Sequence, residues 1–296
     1  MHMTGQARDL LTPGAGAPPV VLAEDGFVAV VSPQREIVSI DTLPARPAAV
    51  ELIGARAGSQ LRSAIEKSLG DELVRGTPLY LLLDDIAGAS LVANWGTSQW
   101  SAQSPLSAED PAQTDRLTAR MMGVCMGFSP ESWVYTRGPE GRASHHRTVP
   151  ALDAGTDDAF AWHALPAQQG PAARRARRID VWFEDGVICA DTHFQDSAPL
   201  PDGTRLAVHE YLVNVKIDPG SMTVSRAAAD PRILPFSYCP AASLGIDRLV
   251  GLSVGSLRKT VIERFARTQG CTHLNDTMRS LAEVAQLIAA LQAAMP

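Results

Sequence analysis

Two cysteines and a histidine stand where the chain should begin helices. Cys271 precedes Thr272, a good N-cap for the final predicted helix, and His273 follows within the first turn. Cys239 precedes Pro240, a residue suited to the first helical position. A thiol beside a helix N-terminus feels the positive end of the dipole, which favours thiolate, the form that attacks electrophiles or binds metal. Cys-x-His at such a start supplies two ligands to one ion or sets an imidazole near a thiolate. The pattern nominates Cys239, Cys271 and His273 as metal ligands, with zinc or iron as the ion, and Cys271 and His273 as catalytic groups. In the plainer alternative Cys271 is a small core residue, His273 a capping residue and Asp276 a partner of the dipole.

A second set sits on predicted strands. Asp191 and His193 are two apart, so both leave one face, and His209 and Tyr211 do the same on the next strand. A simple hairpin brings the sets together and makes His209, beside Asp191, a general base or metal ligand. The alternative is a solvent-facing polar set on an ordinary sheet. Glu210 should face away from His209. Cys125 either reaches the site from an apolar helix or belongs to the core, and Ser144-His145-His146-Arg147 reads as a polar loop.

These residues need elements to position them. At 296 residues with 45% apolar and 20% charged residues, the chain can bury one large core or two smaller ones. A net charge of −6 argues against a nucleic-acid footprint. The basic run Arg174-Arg175-Ala176-Arg177-Arg178 reads as a solvated entry to a strand or a local anion contact. No stretch reaches the roughly 18 to 20 apolar residues of a membrane span, and no secretory signal is visible. Four scattered cysteines point to a reducing cytoplasm. Nucleotide and flavin motifs are absent.

The segment from Leu52 to Glu66 aligns without a gap with Leu249 to Glu263, sharing the Leu-x-Gly-x-x-x-Gly-Ser framework. Downstream, Gly76-Thr77-Pro78-Leu79 stands against Gly270-Cys271-Thr272-His273-Leu274. If one unit was duplicated, the fold needs what the copies share and chemistry belongs where they differ. The expected class is α+β: two degenerate repeats, each an antiparallel β-meander followed by helices. Residues 1–95 form the first half, 96–170 a linker with one helix, and 171–296 the second half with the site. Residues 1 to about 18, rich in Gly, Pro and Ala, read as a loose lead-in. The pair Asp25-Gly26 reads as a turn between short strands.

His146-Arg147-Thr148, the Asp191-Thr192 strand, Cys239-Pro240, Leu249-Val250-Gly251 and Gly270-Cys271-Thr272-His273-Leu274 together resemble a bacterial family known as domain of unknown function 2889. The likeness runs from about 140 to 285, and the upstream part looks like a longer, actinobacterial-type form. Shorter relatives in that family tend to carry lysine where His193 stands. The resemblance supports the architecture and implies no reaction.

Two functions fit the residues. One is an enzyme of small-molecule catabolism, of hydrolase, hydratase or lyase type, with its site in the second half. The other is a non-catalytic binding, assembly or metal-handling protein with a structural Cys/His set. A small-molecule substrate is the expected partner, without nucleic acid or membrane, and a homodimer is the prior for a cytoplasmic protein of this size.

Overall fold

The computed structural model describes residues 1–13, 17–102, 111–137, 140, 145–152, 154, 158–164 and 166–294. Ser144 and residues 103–110 of the expected linker lie outside them. The chain is α+β and divides into two compact units. Unit 1 comprises Met1–Val92, Gly155–Pro166 and Ala289–Pro296, and unit 2 comprises Ala93–Ala154 and Ala167–Ile288. The expected linker is therefore divided: 96–154 and 167–170 belong to unit 2, and 155–166 to unit 1. It holds more than one helix, including Pro111–Met121 and Trp133–Thr136. No described helix is long and apolar enough to cross a membrane.

Unit 1 is an antiparallel sheet in the order β1 (His2–Leu11), β2 (Val20–Val31) and β3 (Ile37–Leu43). The expected loose lead-in is thus a paired strand. Gly5, which reads as a loop residue, lies opposite Phe27 in the ladder. A Cβ at Gly5 would come within 2.3 Å of the Phe27 ring, so the glycine makes room for a core side chain. Asp25-Gly26 is not a turn but the middle of β2. The buried Asp25 carboxylate accepts from Arg46 Nη2 at 3.1 Å and from the backbone N–H of Leu79 at 3.2 Å, which satisfies it inside the sheet. Val31, Ile37, Leu52, Leu61, Ile65 and Leu83 close the core over it.

In unit 2, β5 (Arg174–Glu184), β6 (Val187–Pro199), β7 (Arg205–Asp218) and β8 (Thr223–Ile233) form the expected four-strand meander. A short β4 (Arg147–Val149) pairs with the start of β7. The helices expected after the meander begin as a 3-10 helix, Cys239–Leu249, followed by an α-helix, Leu257–Arg264. The last span divides into Thr272–Ser280 and Val284–Ala294, with a 3-10 turn between them.

The two matching sequence segments make the same backbone bonds. Gly54 N–H donates to Ile37 O and Gly251 N–H to Val224 O, each at 2.8 Å. Ala57 N–H donates to Arg35 O and Val254 N–H to Met222 O, at 2.7 and 2.9 Å. Gly54 and Gly251 have φ of 83° and 82°, and Arg35 and Met222 are both left-handed. The two glycines occupy a backbone region that side chains resist. Bulges recur as well: the ladder shifts after Asp9 in β1 and after Asp196 in β6. Counting from the shared turn, Asp9 stands where Asp196 does, Ala23 where His209 does and Asp25 where Tyr211 does.

Candidate functional site

The residues with the strongest chemical potential converge on one face of the β6–β7 ladder. Asp196 lies opposite His209, and Phe194 opposite Tyr211. Strand alternation puts all four on the side that packs against the helix Thr272–Ser280. His273, in the first turn of that helix, lays its imidazole on that of His209. The ring centroids are 3.4 Å apart and the planes 19° from parallel. Both rings border Asp196 Oδ2, His209 through Nδ1 at 3.3 Å and His273 through Nε2 at 3.6 Å. Their side chains keep 11% and 14% exposure, so one edge of the pair stays open.

Asp196 is fully buried and is held by Arg175. Nε and Nη2 of that guanidinium donate to its two oxygens at 2.9 and 3.0 Å, while Nη1 reaches Asp276 at 2.9 Å. Burial alone would push the Asp196 carboxyl up. The Arg175 charge and the His209 and Arg175 contacts overcome it and hold the group far below the usual carboxylate range. His273 goes the other way: burial first, then the neighbouring His209, lower its pKa well below the ordinary histidine value, against the pull of Asp196. It is neutral at neutral pH. An ionised carboxylate at Nε2 favours the tautomer with the proton there, leaving Nδ1 to face Thr272 Oγ1 at 3.3 Å and Cys271 Sγ at 3.9 Å.

Two positive imidazoles at 3.4 Å would repel by about 5 kcal/mol at an effective dielectric of about 20. The pair therefore carries one positive charge at most near neutrality, with Asp196 available to steady it. His209 Nδ1 is buried without a hydrogen bond, despite its nearness to Asp196. It faces the Asp196 carboxylate at 3.3 Å and pairs with it by charge when the ring is protonated.

The sequence nominated Asp191 on the wrong face for this group. Asp191 lies opposite Asn214, whose Nδ2 donates to it at 2.6 Å, and His193 faces Glu210 at 3.1 Å. The alternation that joined Asp191 to His193 is real. The register sends both to the other side of the sheet from His209, with Glu210 among them. Asp196 escaped because it lies close to the Pro199–Pro201 connection, while the basic run, which reads as a solvated entry or a local anion contact, does place Arg175 on an anion, Asp196. No local pattern marks Asp196, since burial is continuous from Phe194 to Pro199. His146 is also nearer than a loop reading allows. It precedes β4, stacks edge-on against Trp95 at 5.6 Å, and is lowered in pKa by burial, then by His145 and His209.

The thiols do not become thiolates. The N-cap is Cys271 and not the expected Thr272, which is the first helical residue, and Cys239 opens the 3-10 helix. Burial outweighs the dipole at both. Cys239 is pushed up by burial and then by Cys271, and Cys271 by burial against the opposing Tyr211 hydroxyl and the Leu274 and His273 amides. Cys125, half-buried, is raised to about 11, by burial and then by Cys271. Among the described residues, the group whose ligand atoms all lie within 4.8 Å of one another is Asp196, His209 and His273. Cys239 and Cys271 are outside it, so the ligand set nominated from helix starts does not assemble.

A metal ion is tested by the same geometry. Zinc with ligands at 2.0–2.1 Å needs donor separations of about 3.3 Å, near the 3.3 and 3.6 Å found here. Yet imidazoles bind in their own plane, and two planes 19° apart and stacked share no such point. A cation would require one ring to turn.

Residues 173–287 match the model of a family described as Protein of unknown function (DUF2889). No curated protein and no solved structure matches the chain.

Proposed function

We propose that the DUF2889 segment is the catalytic part of a small-molecule enzyme of hydrolase, hydratase or lyase type. The reaction runs by proton transfer at the stacked His209–His273 pair. What supports this is the single observation of two imidazoles set on one buried, arginine-held carboxylate. His209 and His273 exchange a proton with the substrate, Asp196 steadies the positive charge that results, and Arg175 keeps Asp196 ionised and aimed. General acid–base groups of this kind typically contribute about 10²–10⁴ in rate. Cys271 and Thr272 border the far edge of His273 and fix its tautomer.

The test is solvent isotope incorporation. The protein is incubated in D₂O with a panel of small hydroxy, keto and unsaturated compounds, and products are weighed by mass spectrometry. A substrate that gains deuterium should lose that exchange by about 10²-fold or more in His209→Gln and in His273→Gln. Turnover that survives in both variants overturns the reading.

The second reading is a divalent cation, zinc or iron, held by Asp196, His209 and His273, either for catalysis or for metal handling. The donor spacing favours it and the stacked rings oppose it. Near-stoichiometric metal in protein purified without chelators, lost in His273→Ala, would establish it. We infer also that the two units descend from one duplicated unit. The matching Gly54 and Gly251 bonds and the matching bulges support that descent.

A further inference from the structure

A separate cationic feature lies on the other side of β6 from Asp196. Arg205 opens β7, opposite Pro199, with Ser197 two residues along the facing strand. Its guanidinium is half-buried and fixed at two points: Nη1 donates to Ser197 Oγ at 3.1 Å and Nη2 to Gln168 Oε1 at 2.9 Å. Both partners are neutral. The carboxylate closest in sequence, Asp202, is engaged by the amide and hydroxyl of Thr204 at 2.9 and 2.7 Å. On the neighbouring strand, Arg174 stands directly opposite Ser197, so two guanidinium groups share this end of the sheet. Burial, and then the Arg174 charge, pushes Arg205 down to about 10.

A half-buried cation fixed by neutral groups is costly unless an anion joins it. The guanidinium fork matches the two oxygens of a carboxylate or phosphate. Ser197 and Gln168 hold that fork in place in advance, which lowers the ordering cost of binding.

We propose that Arg205 forms an oxyanion-binding site on unit 2 that takes a small carboxylate or phosphate group. It lies away from the imidazole pair and does not depend on the reaction assigned to that pair.

The full chain is titrated calorimetrically with inorganic phosphate and, separately, with acetate, at constant ionic strength. Wild type and His209→Gln should each bind one of these anions saturably and one to one, and the tighter of the two identifies the class. Arg205→Gln, checked for native circular dichroism, should bind about tenfold more weakly or not at all. Arg205→Lys keeps the charge and loses the fork, and should also weaken binding, which covers the case of an unfolded Arg205→Gln. Absence of saturable binding of both anions to wild type, or unchanged binding in a folded Arg205 variant, overturns the assignment.

Discussion

Asp196 and Arg175 are the pair on which the imidazoles rest. Arg175 keeps only 4% of its side chain exposed and Asp196 none, so neither charge finds water if the other is removed. Asp196→Asn should therefore cost about 3–5 kcal/mol, read from urea unfolding at pH 7. The pH dependence follows from the depressed carboxyl. Its stabilisation is complete above the ordinary value of 3.8 and is lost as pH falls toward the lowered one, so the variant should lack part of the wild-type acid limb. The thiols yield a second expectation. Because burial keeps Cys239 and Cys271 protonated, a thiol-exchange reagent at pH 8 should leave both unmodified in the native protein and label both in urea.

At the scale of elements, glycines decide how the helix carrying His273 meets the sheet. A Cβ on Gly270 would lie 2.6 Å from the Phe265 carbonyl and 2.9 Å from Asn275 Oδ1. A backbone carbonyl yields little, so Gly270→Ala should destabilise by about 1–3 kcal/mol and displace Cys271 and His273, seen in the melting temperature and in the histidine NMR signals. The sequence displayed the α+β class, the meander of unit 2 and the helix that starts at Thr272, because alternation and capping are local signals. It also showed His209 and His273 as candidates. It hid their partner. Which face of a strand meets which helix is set by register, and the register here is fixed by the bulge after Asp196, which leaves no local pattern. Asp191 was the carboxylate that alternation alone selects. The burial of Arg175 was equally hidden, since only tertiary pairing with Asp196 makes an arginine a core residue.

Across the whole molecule, the two units place different chemistry on matching backbones. Where unit 2 has Asp196, His209 and Tyr211, unit 1 has Asp9, Ala23 and Asp25. Among the described residues no arginine pairs with Asp9 as Arg175 does with Asp196; burial, then the charge of Asp25, raises it to about 6. The fold thus favours its protonated form. That contribution is complete below 3.8 and is lost as pH rises through about 6. Asp9→Asn should accordingly raise the melting temperature at pH 8 and flatten its decline between those values. The equivalent change in unit 2 should lower it. Opposite signs at matched positions are what divergence of a duplicated pair toward one working site predicts.

The central claim is that the stacked imidazoles are a metal-free acid–base pair that carries at most one positive charge. It is tested most directly by ¹⁵N NMR of ring-labelled histidines, titrated from pH 8 to pH 5 after treatment with a chelator. The account predicts that the His273 signals survive chelation, keep the neutral tautomer protonated at Nε2 to well below pH 6.5, and never report a second ring proton on His273 while His209 is an imidazolium. Simultaneous protonation of both rings near pH 6.5, or loss of the stacked arrangement once metal is removed, would contradict it.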